Sequence, residues 1–413
     1  MTNKKRIRCW GILSLAAALL VVWAPASMAQ QASTPPSQSW FSIYGFVMLD
    51  MGYDSGQVNP DWFDVLRPTK LPSFEKEFGE DGNFYTSVRQ TRLGFKAGAP
   101  TSLGELKTTF EFELFGTGVD AGQTTIRLRH AYVELGKFGA GQTWSPFMDI
   151  DVFPNSVEYW GPNGMAFFRN VQVRWMPIRG DTRLTIALER PGASADAGPY
   201  ADRIELQNVK GQFPYPDLSA EYRYGADWGY VEVAGILRYM EWNDMLDDQY
   251  DLSGSATGWG VNLSSNLKLR GGKDVVRLSY VYGEGVENYM NDAPADLGVA
   301  LNPGNPSQPI KGKLLPVTGI VAFLDHAWND KWTTAVGYSS LTIDNSDGQA
   351  PDAFRKGQYA LVNLMCTPVK DFMLGGEVQW GKRENFTDGW SVDDLRFQFS
   401  VKANFSTLIG GKS

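Results

Sequence analysis

The side chains in this chain with chemistry to offer are charged groups spaced two residues apart. Arg92 and Lys96 fall on one side of an alternating stretch whose other side carries Thr91, Leu93 and Phe95. Lys107, Glu111 and Glu113 alternate in the same way with Leu106, Phe110, Phe112 and Leu114. Arg127 and Arg129 share a face, and Arg174 belongs to a further alternating stretch, with Arg183, Arg223, Arg238, Lys268, Arg277, Arg396 and Lys402 on later ones. Acidic members of the same faces are Asp50, Glu189, Glu221, Glu232 and Glu377, so base outnumbers acid on a chain whose formal net charge is -8. The chemistry such rows support is electrostatic, the attraction and orientation of small ions.

Other chemistry finds little support. The two histidines, His130 and His326, lie in no serine- or aspartate-bearing motif of a hydrolase. No Cys-x-x-Cys or paired-histidine spacing points to a metal, and no cofactor is expected. The Gly-Glu-Gly at 283–285 precedes no helix and is not a phosphate loop. The acidic balance argues against a nucleic-acid partner.

The elements that hold these faces read as strands. From Leu395 to Phe405, apolar Leu395, Phe397, Phe399, Val401, Ala403 and Phe405 alternate with Arg396, Gln398, Ser400, Lys402 and Asn404. Successive side chains of a strand point to opposite faces, so each segment has one oily and one polar side. Sixteen such segments can be counted: 41–54, 87–97, 105–115, 125–136, 138–144, 167–176, 182–190, 217–225, 229–242, 257–269, 274–286, 315–326, 331–343, 357–367, 371–383 and 393–405. The segment at 315–326 alternates poorly and contains Pro316.

Short turns and long loops take turns between them. Gly136-Lys137, Arg270–Lys273 and Pro368–Lys370 are tight, whereas 55–86, 145–166, 191–216 and 287–314 are long. An even strand number with this asymmetry predicts an all-β fold: a 16-stranded antiparallel transmembrane β-barrel with short periplasmic turns and long external loops. Sixteen polar faces cannot enclose a dry core. Closing the sheet puts apolar groups into lipid, polar groups around water, and leaves no unpaired edge. Tyr53, Trp175, Trp242, Trp332, Trp380 and Phe405 fall where aromatic girdles would lie. A soluble propeller or sandwich lacks the strict alternation of connectors.

The N-terminus fits this compartment. Lys4, Lys5, Arg6 and Arg8 precede an apolar run from Trp10 to about Trp23, and Ser27-Met28-Ala29 supplies small residues for cleavage. Residues 1–29 therefore read as a signal peptide. Residues 30–40 read as a short periplasmic segment, 41–405 as the barrel, and 406–413 as a tail. Cys9 leaves with the leader, so Cys366 has no partner within the chain.

Two placements were open on sequence alone. In the strand Arg127-Leu128-Arg129-His130-Ala131-Tyr132-Val133-Glu134, turning the arginines inward leaves His130 and Glu134 outside, which charge in lipid disfavours. Loop 145–166 carries Asp149, Asp151, Glu158 and Tyr159 and is long enough to fold inward. Its acids would then oppose the basic wall and constrict the bore.

The stretches GFVMLDMGYD (45–54), TRLGFKAG (91–98), ELKTTFEFELFG (105–116) and RLRHAYVELGKFGAGQTWSPFMD (127–149) resemble the trimeric Gram-negative porins, nearest the DcaP-like branch. The resemblance implies a homotrimer in outer-membrane lipid and lipopolysaccharide, an inward-folded third loop, and passive uptake of small, often anionic solutes such as dicarboxylates. It maps a basic wall onto Arg92, Arg127 and Arg129, to which the alternation adds Lys96, Lys107 and Arg174, and a constriction onto 145–166. An outer-membrane barrel enzyme of lipase or protease type, or a surface adhesin or receptor, is the competing reading.

Overall fold

In a computed structural model, residues 38–410 are described. The expected leader, most of the short segment after it, and residues 411–413 lie outside them. The chain winds antiparallel strands into one closed wall: β1 Trp40–Asp54, β2 in two pieces (Asn83–Ser87 and Arg92–Thr101), β3 Gly104–Phe115, β4 Thr124–Leu135, β5 Phe138–Trp144, β6 Arg169–Ile178, β7 Arg183–Glu189 and β8 Asp217–Ala226. It continues with β9 Gly229–Asp244, β10 Gly254–Leu269, β11 Asp274–Glu284, β12 Pro316–Ala327, β13 Trp332–Ile343, β14 Phe354–Val369, β15 Phe372–Asn385 and β16 Ser391–Gly410. A short piece, Val209–Gln212, extends the wall beside the outer end of β9. Neighbours pair in chain order, and β1 pairs with β16 from Trp40↔Gly410 to Asp54↔Arg396, which closes a 16-stranded barrel. Every strand thus has two partners, as a sheet in lipid requires. No described helix is long and apolar enough to cross a membrane.

Strand ends differ from the sequence reading where local chemistry intervenes. The last strand runs on to Gly410 instead of ending at Phe405, because β1 begins at Trp40 and offers a partner that far down. The second strand breaks at 88–91, where Arg89 turns into the bore to meet Asp64 at 2.5 Å and Thr91 lends its hydroxyl to the Met48 amide. Pro316 is the first residue of β12, a position that forfeits little of the ladder.

The outward face is mainly apolar, with Val47, Val233, Leu263, Val362 and Phe399 exposed to the surroundings, and its charged residues, such as Lys382, Glu384 and Asp393, stand at the outer ends of the strands. Among the expected girdle aromatics, Tyr53, Trp175, Trp332 and Phe405 are exposed. Trp242 is not. Its parity on β9 turns it inward, where its indole N–H donates to the Leu252 carbonyl.

The inner face is not uniformly polar. Ala234, Ile236, Val281, Val317, Leu341 and Ile343 point into the bore and bury Phe147, Met148, Ala166, Tyr289 and Met290 from two long loops. A second apolar cluster joins Leu66, Val152 and Met165 to Val321, Phe323 and Leu361. This explains the poor alternation of β12, which is apolar on both sides because one side meets lipid and the other meets loop.

Val233 is exposed on the outer wall and should tolerate no charge. Val233→Arg is expected to lose about 2–4 kcal/mol if it sits near the bilayer midplane. Denaturant titration of the protein folded into lipid vesicles measures this.

Candidate functional site

The basic wall is built by β2, β3, β4 and β6. Alternation turns Arg92 and Lys96 inward on β2, and Lys107, Glu111 and Glu113 inward on β3. On β4 a β-bulge settles what alternation could not. Glu111 pairs with His130 but Phe112 pairs with Leu128, so Arg129 is an extra residue in the ladder. A bulge of one residue shifts the parity of everything after it. Arg127 and Arg129 therefore face the bore, and His130, Tyr132 and Glu134 face it too. The expectation that His130 and Glu134 would be left outside is corrected on this account. His130 Nδ1 lies 3.0 Å from the Thr143 hydroxyl, edge-on to Trp144 at 5.0 Å.

The wall is a charge network. Arg129 bonds Glu111 through Nε at 2.6 Å and Glu113 through Nη1 at 2.6 Å. Arg92 reaches Glu113 at 3.3 Å and Glu111 at 3.7 Å. Arg169 and Arg127 approach the other oxygen of Glu113 at 3.7 Å and 3.8 Å. The Tyr44 hydroxyl donates to Glu111 at 2.8 Å. Four guanidinium groups thus surround two carboxylates, and the cluster keeps a surplus of positive charge. Arg169 was not singled out from sequence. It opens β6 directly after the loop, before any alternation is established, and its guanidinium lies 5.0 Å from the Trp144 ring.

Beneath the network is a cavity of about 400 Å³, lined by Arg92, Lys96, Arg129, Arg174, Tyr132 and Trp144 among others. Lys96 lies 4.7 Å from the Tyr44 ring, and Arg174 donates to the Trp144 carbonyl at 2.8 Å. A second lobe of about 270 Å³ shares Trp144 and Arg174 and reaches Arg183 and Glu221. Lys107 stands apart, nearer the periplasmic end, paired with Glu105 at 3.0 Å.

The third loop, 145–168, folds into the bore and runs along the far wall. Phe147 accepts from Asn262 of β10, Asn155 donates to Thr333 of β13, Ser156 to Glu377 of β15, and the Val157 carbonyl accepts from Gln398 of β16. Its acids do not oppose the basic wall. Asp149 is buried against Arg223 (2.6 Å), Tyr230 (2.6 Å) and Ser264 (2.7 Å). Glu158 is buried, accepting from the Leu66 amide at 3.1 Å and from the Gly161 amide. A carboxylate drawn out of water needs donors of this kind, so both residues are spent as anchors of the loop. Asp151 alone keeps a half-exposed side chain, bonded to Arg223 at 2.6 Å. Tyr159 is the loop residue that meets the basic cluster. Its hydroxyl donates to Glu113, Arg127 donates to it at 3.4 Å, and its ring stacks on Phe115 at 4.0 Å.

Neither histidine is hydrogen-bonded to a serine among the described residues; His326 pairs with Asp274 at 2.5 Å. Nor does any described group of three His, Cys, Asp or Glu side chains suit a metal ion.

Burial pushes the Glu158 carboxyl up to about 8, outweighing its two amide donors. An unfolded glutamate ionises near 4.5, so the folded state holds the proton more tightly. The contribution is full below about pH 4.5 and is lost as pH rises through about 8. Stability is therefore expected to fall across that window, and Glu158→Gln is expected to flatten the slope. Denaturant midpoints at pH 5, 7 and 9 for both proteins check this; parallel slopes would refute it.

The family model of the DcaP outer membrane protein matches residues 37–394. The outer membrane channel DcaP of Acinetobacter baumannii superposes with a TM-score of 0.74 at 21% identity, over 89% of this chain and 98% of that one. An anion-selective porin from Comamonas acidovorans gives 0.57 at 10% identity, over 89% and 100%. OmpT of Vibrio cholerae gives 0.55 at 11% identity, over 90% and 99%. No curated protein sequence matches significantly. At these identities the likeness to solved structures speaks for the fold, while the family model spans nearly the whole barrel. This chain belongs to the DcaP outer membrane protein family.

Proposed function

We propose that this outer-membrane barrel is a channel for passive diffusion of small hydrophilic solutes, with a modest preference for anions such as dicarboxylates. The observation that carries the reading is the surplus of guanidinium over carboxylate bordering a cavity inside the bore. The whole chain is acidic, so this local excess of base is what a small anion would respond to. Within it Arg92 and Arg127 keep side chains 24% and 30% exposed, enough to meet a passing solute. Arg129, 6% exposed, braces the two glutamates. Lys96, Lys107 and Arg174 extend the positive surface toward the periplasm. Loop 145–168 narrows the path by its bulk and through Tyr159, with Asp151 as its one acid open to solvent.

The anion selectivity named for the Comamonas porin, and the trimer form in which Vibrio OmpT has been solved, support an anion-preferring homotrimer. The apolar residues that dominate the outer face support lipid, with lipopolysaccharide in the outer leaflet, as its surroundings.

Reconstitution in planar bilayers tests the reading. Stepwise conductance is expected, with a reversal potential in a KCl gradient of the sign set by chloride. Arg92→Gln with Arg127→Gln is expected to lower the anion-to-cation permeability ratio about threefold, and succinate to reduce the current. An unchanged ratio would overturn the role given to these residues. A bilayer that stays closed would favour a barrel enzyme or adhesin instead.

A further inference from the structure

Across the seam of the barrel from the basic wall, β16 carries a cation that the cluster around Glu111 and Glu113 does not use. Alternation turns Gln398, Ser400 and Lys402 into the bore, with Val401 and Ala403 in the outward register. The Lys402 ammonium lies 4.1 Å from the Phe46 ring of β1, and the Arg92 guanidinium of β2 lies 5.1 Å from the same ring. Two cations thus approach one phenyl group from the strands on either side of it, since β1 pairs with β16 through Met48↔Lys402 and with β2 through Phe46↔Arg92. Next along β2, Gly94 has no side chain, and a Cβ there would lie 2.3 Å from the Tyr44 ring. Tyr44 fills that gap, with the Lys96 ammonium 4.7 Å from its ring. Three cations and two rings therefore form one strip of the inner surface.

The acids around this strip are taken by other donors. Asp50, inward on β1, accepts from Ser400 at 2.5 Å, Gln90 at 3.0 Å and Gln398 at 3.2 Å. Glu111 is held by Arg129 and Tyr44, and Glu377 of β15 by Ser156 and Asn363. Lys402 is half-buried and has no hydrogen-bond or ion-pair partner among the described residues. An ammonium set beside a guanidinium, with no carboxylate of its own, is positive charge left over. Its place relative to the third loop is fixed by the same strand. Gln398 donates to the Val157 carbonyl at 3.1 Å, and Lys402 follows four residues later, about 13 Å further toward the periplasm.

We propose that Lys402, with Arg92 and Lys96, forms a second anion station on the periplasmic side of the third loop, and that it favours doubly over singly charged carboxylates. The interaction of a solute with a fixed potential scales with the solute's charge, so a dianion gains twice what a monoanion gains. A factor in monoanion occupancy therefore becomes its square for a dianion. Lys402 is the specificity-determining member. Arg92 is already shared with Glu111 and Glu113, whereas the Lys402 ammonium has three rotatable donors and no acid to satisfy them. The rings of Phe46 and Tyr44 hold the cationic groups in place by attraction to their faces. The inference deepens the channel reading and rests on it: the basic wall selects negative charge, and Lys402 selects how much of it a solute carries.

Two substitutions in the full-length protein test it in planar bilayers. Lys402→Met removes the charge and keeps an unbranched side chain against Phe46, and Lys402→Arg restores the charge. In Lys402→Met the chloride-to-potassium permeability ratio is expected to fall about twofold, and the succinate concentration that halves the current to rise about fourfold, the square of the first factor. Lys402→Arg is expected to return both toward the parent. Heat-modifiable migration confirms that each variant is folded. Should Lys402→Met fail to fold, Lys96→Met, at an exposed lysine of the same station, takes its place with the same expected pair of factors. An unchanged succinate value, equal factors for chloride and succinate, or a loss that arginine does not reverse would overturn the proposal. Isothermal titration of the same detergent-solubilised preparations with succinate separates the two readings. Current whose succinate block ignores Lys402 sinks the station alone, and Lys402-dependent succinate binding without current sinks the channel alone.

Discussion

A backbone amide in hydrocarbon has no water to turn to, and the rest of this structure follows from that. The pairing of Trp40–Asp54 with the last strand leaves no barrel strand with a free edge. Once the wall is closed, the two faces of each strand are assigned, one to lipid and one to the bore. The charged residues then share an enclosed space, and none of them can be placed there singly at low cost.

That shared space explains why the interior is so heavily cross-linked. Glu111 and Glu113 draw in Arg92, Arg127, Arg129 and Arg169, and the cluster fixes the side of the bore that is basic. On the far side Arg223 ties Asp149, Asp151 and Glu232 together, joining the third loop to β9. Arg67 lies between the Trp62 and Trp160 rings, at 4.1 Å and 4.0 Å, and bonds Asp292 at 2.9 Å, tying three long loops to one another. Apolar packing reinforces these ties, with Phe147 and Met148 of the third loop buried against Ile236, Val281 and Leu341. The loop is thereby part of the bore's lining, with Tyr159 brought to the edge of the basic cluster.

How far the site was legible varies residue by residue. Arg92, Lys96 and Arg174 could be turned inward by counting in twos, because the strands that carry them alternate without interruption through those positions. Arg169 could not, since it stands at the seam between loop and strand. The acids of the third loop were legible as charged and expected to oppose the basic wall, whereas Asp149 and Glu158 are buried as anchors of the loop and Asp151 alone stays half-exposed. Nothing in the run from Asp149 to Glu158 announces that Arg223, Tyr230 and the Leu66 amide, distant along the chain, would enclose them. Trp242 was misplaced for the opposite reason: an aromatic near a strand end was assigned to the girdle, although it shares the parity of the inward Glu232 and Arg238 and so faces Gly254 and Gly312 inside.

Strand number, closed topology and inside-out polarity were readable along the chain, because all three are written in local periodicity and in the lengths of connectors. Which luminal charges are free and which are consumed emerges when the folded wall brings them together. A bulge is set by two strands in register, as at Arg129, and a buried ion pair is set by residues far apart in the chain. Neither leaves a mark in the local pattern, since the energy that fixes each comes from partners met only when the wall closes.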